Sequence, residues 1–295
     1  MRHKALGALL CAALAGSTAA AAQNRPEAEA GPEIVVTGNR DMEGQLRDFV
    51  GALTQTGPGR QLARFETAIC PAAVGVSPGQ KEAIAGRLRQ IAEAAGLAVR
   101  KGECTPNVLL VVTADKAGFL DALWKSYPEY FGEMSASDVR RLGRTPGPAA
   151  AWHVDGPPLS ADGVKLADGG DGAYVNRTGR VSSRITAGVR PQLAAAAVVV
   201  EARSLEGLTT TQIADYAAMR AFARGDPSRL PGSAPTILKV LEAPMGAEVP
   251  ITLTSWDLAF LRSLYSGTPN TTAAAQRTSI RKGVEGRLRK GEADK

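Results

Sequence analysis

Five consecutive apolar residues, Val108-Leu109-Leu110-Val111-Val112, leave no side of this segment for water. A half-exposed strand alternates apolar and polar side chains, whereas an unbroken short run reads as a strand covered on both faces. A second such run, Leu193 to Ala202 centred on Val198-Val199-Val200, makes the same demand. Helices to cover such strands are written beside them. Ser77 stands at an N-cap, Pro78 at the first helical position, and Gln80 where it completes a capping box. Ile84, Leu88, Ile91 and Ala95 follow at helical spacing, and Gly96 ends the pattern.

The remaining elements are read in the same way. Helices are expected over 41–53, with Leu46, Phe49, Val50 and Leu53 on one face, over 115–127, and over 135–142 with Ser135 as cap and Asp138 three residues on. Leu62 to Cys70 reads as a strand stopped by Pro71, and Ala149 to Val154 as another. Gly156 to Arg190 is the least regular stretch, rich in Gly, Asp, Ser and Pro, with Ala173-Tyr174-Val175 as one arm of a hairpin. The last third is helical. Thr209 or Thr210 caps a helix through Ile213, Tyr216, Ala217 and Phe222, a second covers 235–241, Thr254 caps a third, and the fourth covers 272–289. The alternation predicts an α/β fold, with α+β as the alternative: a small mixed sheet, flanking helices and a helical C-terminal third. One globular domain over residues 41–290 is expected, with the 156–190 loop as the place for a sub-boundary.

The N-terminus reads as an address. Arg2, His3 and Lys4 precede the uncharged apolar stretch Ala5 to Gly16, and Ser17 to Ala22 offers A-x-A cleavage sites. That is the pattern of a signal peptide over residues 1–22. The apolar stretch is too short to span a bilayer, and nothing after it is long and apolar enough. A periplasmic or secreted protein of roughly 270 residues is expected. Cys11 leaves with the leader, so Cys70 and Cys104 are expected to form one disulfide in an oxidising compartment; two buried free thiols are the alternative. The formal charge of +6 drops to about +4 without Arg2 and Lys4, weak grounds for a polyanion partner. The basic helix of Arg277, Arg281, Lys282, Arg287, Arg289 and Lys290 has no interleaved aromatics for stacking, so nucleic acid is not expected.

Candidate chemistry is sparse. Gly75-Val76-Ser77-Pro78-Gly79 matches G-x-S-x-G between a strand and a helix. The residue after the serine should donate its N–H to the oxyanion, and Pro78 has none. His153 is the sole histidine after the leader, so a histidine-rich zinc site is excluded, and no H-E-x-x-H occurs. Asp162, Asp168 and Asp171 lie in a Gly-rich loop without EF-hand spacing and read as a solvated turn. Neither a P-loop nor a dinucleotide fingerprint is present, and no cofactor or metal is expected.

Residues 23–40 read as a flexible segment carrying Glu33-Ile34-Val35-Val36-Thr37-Gly38. This motif resembles the TonB box of outer-membrane TonB-dependent receptors, which implies an envelope partner bound by β-augmentation. An edge strand of the domain itself is the alternative. Further stretches, Gly59-Arg60-Gln61-Leu62-Ala63-Arg64-Phe65-Glu66, Ile213-Ala214-Asp215-Tyr216-Ala217-Ala218-Met219 and Leu253-Thr254-Ser255-Trp256-Asp257, are similar to an uncharacterised family of exported Gram-negative bacterial proteins. The late valine-rich strand, helix and LT-x-x-D pattern more distantly resembles a zincin-like bacterial domain. Where a zincin helix carries metal-binding histidines, this one has Gln212, Asp215, Tyr216 and Met219, so no metallopeptidase activity carries over. The expected function is therefore non-catalytic binding in the cell envelope. A degenerate or unrecognised hydrolase is the alternative, with a pocket around Trp152, His153, Asp155, Asp215 and Tyr216 as its site.

Overall fold

The computed structural model describes residues 39–56, 61–171, 173–177, 183, 186–244 and 246–291; the signal-like segment and Glu33–Gly38 lie outside them. In chain order the elements are α1 (Asn39–Leu53), β1 (Arg64–Phe65), β2 (Pro71–Val74), α2 (Pro78–Ala95), β3 (Val108–Thr113), α3 (Lys116–Ser126), α4 (Ala136–Gly143), β4 (Ala149–Ser160), β5 (Ala167–Asp168), β6 (Tyr174–Val175), β7 (Val189–Glu201), α5 (Thr210–Phe222), α6 (Ser255–Ser266) and α7 (Ala273–Lys290). The fold is α/β, with a mostly parallel sheet and a helical C-terminal part.

β7 is the spine of the sheet. On one edge it pairs in parallel with β3 through residues 196–201 and with β1 at Arg64↔Gln192 and Phe65↔Leu193. β2 lies parallel outside β3, and β4 runs antiparallel along the other edge of β7. Side chains alternate between two covered faces. Val108, Leu110, Ala196, Val198 and Val200 enter the large core built with α1, α2, α5, α6 and α7. Val111 and Val199 enter a smaller core with Ala150, Trp152, Leu120 of α3 and Val139 of α4. Coverage on both faces is why the two runs contain no polar break. In the large core Phe49 meets Trp256 and Phe260 edge-on, at 5.4 and 5.8 Å between ring centroids. Such pairs contribute about 1 kcal/mol each beyond area burial.

Three expectations need correction. The strand expected at 62–70 is broken into the pairing of Arg64–Phe65 and an isolated parallel bridge of Ile69 with Val99, and the strand entering α2 starts at Pro71 rather than ending there. β2 is the edge of the sheet, where a first-position proline leaves no ladder bond unmade. The helix expected over 235–241 is a single 3-10 turn, Ile237–Lys239, capped by Thr236. β4 extends to Ser160 and β7 begins at Val189, so part of the loop read as irregular is paired sheet. Pro157 and Pro158 are accommodated at a register shift in β4, whose only strand partner among the described residues is β7.

Local signals fared better. Ser77, Ser135, Thr209 and Thr254 each close a capping box at the head of α2, α4, α5 and α6. Cys70 and Cys104 form a disulfide with Cα atoms 6.1 Å apart, tying the entry of β2 to the segment before β3. The basic helix α7 is in part turned inward: Arg277 donates to the Thr54 carbonyl at 2.7 Å and Arg281 pairs with Glu43 of α1. Among the described residues no helix is long and apolar enough to cross a membrane.

Candidate functional site

Trp152 and His153 are consecutive on β4 and therefore project to opposite faces of the sheet. The Trp152 ring stacks on Phe131 at 4.8 Å in the smaller core and its Nε1–H donates to the Tyr130 carbonyl at 2.9 Å. His153 faces α5, and its Nε2 lies 3.0 Å from the Ala221 carbonyl. A carbonyl only accepts, so Nε2 carries the hydrogen. Burial, with the charge of Arg224 second, pushes the His153 pKa down to about 4, so the ring is neutral.

The two carboxylates of the expected pocket have different neighbours. Asp155 pairs with Arg224 at 2.6 Å, next to the C-terminal end of α5. Asp215 lies ~9 Å further back along that helix. It is fully buried and accepts from Arg87 at 2.7 and 3.1 Å, from the Thr252 hydroxyl at 2.6 Å and from the Leu253 N–H at 2.6 Å. The Tyr216 hydroxyl accepts from Arg220 at 2.7 Å. His153 and Asp155 thus share the end of α5, Asp215 and Tyr216 have separate partners, and Trp152 lies across the sheet.

The other chemically suggestive side chains hold the scaffold. Gln212 completes the cap of α5 and donates to the Pro250 carbonyl at 2.9 Å, while Met219 is core. Asp257 is wholly buried under Thr236, Ile237 and Thr254, which supply hydrogen bonds of 2.6–3.1 Å. Burial outweighs those donors and pushes its pKa up to about 6. The Ser77 hydroxyl is engaged with Gln80 in the α2 cap. Asp168 accepts from the Gly170 N–H and shapes a turn, and the described residues hold no group of three acidic, Cys or His side chains arranged for a metal.

An open polar site lies where β1, β4 and the start of β7 meet. A cleft of about 430 Å³ is lined by Gln55, Gln61, Ala63, Asp155, Arg190 and Arg224, among others. Of the charged group beside it only Arg190 reaches the lining; behind Arg190, Glu66 holds two guanidinium groups, Arg64 at 2.7 Å and Arg190 at 3.2 Å. All three side chains are only 12–14% exposed, so one positive charge in excess is held largely out of water. The Arg64 guanidinium is further engaged by the carbonyls of Leu264 and Gly267, both at 2.8 Å. Arg190 differs: its Nε–H is buried without an acceptor among the described residues. A buried donor left unmade costs about 1–3 kcal/mol, more beside a charge.

The chain builds this wall from distant parts. The short pairing of β1 with β7 fixes Arg64 opposite Gln192, and strand alternation sends Arg64 and Glu66 the same way. Arg190 arrives from β7, and Arg224 from just beyond α5. Of the sequence-derived residues only Asp155 lines this cleft. Sequence reasoning passed over Arg64, Glu66, Arg190 and Arg224 as site residues. Comparison with known proteins adds nothing further: no family model, no curated protein and no solved structure matches this chain.

Proposed function

We propose that this is an exported, non-catalytic binding protein of the cell envelope whose cleft at Arg190 takes a carboxylate. The observation that carries the proposal is the uncompensated positive charge of Arg64, Glu66 and Arg190 together with the orphaned Arg190 Nε–H. A single anionic oxygen at that point would complete both the charge balance and the hydrogen bond. A carboxylate supplies one charge, and Ala63, Pro158, Val189 and Pro191 offer an apolar wall to the body of the ligand. Non-catalytic action is supported by the engagement of His153, Asp215 and Asp257 in structural bonds. Export is supported by the leader-like N-terminus and by the disulfide, which suits an oxidising compartment. Glu33–Gly38 would serve as a strand for an envelope partner.

The binding claim is tested by thermal unfolding in acetate against chloride at equal ionic strength, with phosphate as a second arm. At ten times the dissociation constant acetate should stabilise by about 1.4 kcal/mol, near 3 °C in Tm. Arg190→Met should abolish the shift. Val189→Trp should do so as well, because Val189 lines the cleft and is 40% exposed, so the substitution blocks the cleft from a surface position. Equal shifts in chloride, or a shift retained by both variants, would refute carboxylate binding. A shift with phosphate alone would replace the ligand class.

A further inference from the structure

A second cleft, of about 540 Å³, lies between β7 and the β5–β6 hairpin and shares no lining residue with the first. Gln192 stands in its wall, only 5% exposed. Its Nε2 donates to the Pro157 carbonyl at 2.7 Å, which fixes the orientation of the amide. The other end of that amide, Oε1, is buried and receives no donor among the described residues. Gly156 faces Gln192 in the register of β4 and β7, and a Cβ there would come within 3.2 Å of the Gln192 Cγ. Glycine thus makes room for the amide. β7 also carries one extra residue at this level, Ala194, between its pairings with Val154 and Asp155. Bulges of this kind re-aim side chains and recur beside binding sites.

The rest of the lining decides what kind of molecule could meet that oxygen. The hairpin contributes the carboxylates of Asp168 and Asp171 and the Tyr174 ring, which is 50% exposed. Against these acceptors stand the Lys165 ammonium and the Thr67 and Tyr174 hydroxyls as side-chain donors. The cleft is richer in acceptors than in donors, and Leu166, Pro157 and Tyr174 give it apolar surface. From this we infer that the cleft binds a saccharide ring. Sugar hydroxyls supply the missing donors to Gln192 and to the carboxylates, and the C–H face of the ring lies against Tyr174. A mostly apolar pocket with a few placed polar groups is the usual form of a small-ligand site.

Saturation-transfer NMR on the full protein with glucose, galactose and N-acetylglucosamine tests the inference, with spermidine as an amine control. Saturation transfer to at least one sugar is expected, falling at least fivefold in Tyr174→Ala and in Gln192→Met. Tyr174→Ala alters an exposed ring and leaves the cores untouched, so its result stands even if Gln192→Met folds poorly. Absence of a sugar signal in the wild-type protein, or a signal unchanged in Tyr174→Ala, overturns the inference. A response to spermidine alone overturns it too, and would mark the acidic rim as an amine site.

Discussion

Arg87 and Asp215 form a two-bond ion pair, Nε to Oδ1 at 2.7 Å and Nη2 to Oδ2 at 3.1 Å, that joins α2 to α5 across the helical layer. Asp215 is fully buried and its second oxygen also receives Thr252 and Leu253, so the segment before α6 is tied to the same point. Removing Arg87 would leave a buried carboxylate without its counter-charge. Arg87→Ala should therefore cost about 3 kcal/mol in chemical denaturation. The double variant Arg87→Ala/Asp215→Ala should lose clearly less than the two single losses combined; additive losses would show that the pair is not coupled.

His153 gives the protein an acid-sensitive term. Its folded pKa of about 4 lies below the ordinary 6.5, so its contribution is complete above pH 6.5 and is lost as the pH falls through 4. The full difference is on the order of 3 kcal/mol, reduced by the partial exposure of the ring. Denaturation curves of His153→Gln should lack this acid loss between pH 6.5 and 4. Parallel pH dependences in the two proteins would contradict it.

Asp257 acts with the opposite sign. Its folded pKa of about 6 lies above the ordinary 3.8, so the stability linked to its protonation is complete below pH 3.8 and is lost as the pH rises through 6. The magnitude is again on the order of 3 kcal/mol. In the wild-type protein the two slopes oppose one another between pH 4 and 6. Asp257→Asn should therefore expose a net acid loss there that the wild-type protein largely conceals, measured as the change in denaturation midpoint with pH.

Cys70–Cys104 closes a separation of 34 residues. In the chain-entropy view such a link contributes about 3–4 kcal/mol by restricting the unfolded chain. Urea unfolding with and without reductant should differ by about that amount, and Cys70→Ser/Cys104→Ser should match the reduced protein. No difference would mean that the bridge constrains nothing the unfolded chain explores.

The parts of the fold legible in sequence are those set by near neighbours. Ser77, Pro78 and Gln80 specify the head of α2 within four positions, and Thr209 with Gln212 does the same for α5. Val108–Val112 announces a strand buried on both sides. Pro71 misled because a proline ends a central strand but can open an edge strand, and edge or centre depends on the whole sheet. The extension of β4 past Pro157 was hidden for the same reason. Trp152 and His153 could have been separated at once, since adjacent strand residues face opposite ways. The Arg64–Glu66–Arg190 wall was not legible. Its members come from a two-residue strand, the residue that follows it and the start of β7, and only the pairing of β1 with β7 brings them together.

The nitrogen-15 and proton resonances of the Arg190 Nε–H group test the binding claim most directly. Titration of acetate into the labelled full-length protein should move that N–H signal downfield and slow its exchange with water, with chloride at equal ionic strength leaving it in place. An Arg190 Nε–H signal unmoved by acetate, phosphate and chloride alike would contradict an anion site in this cleft.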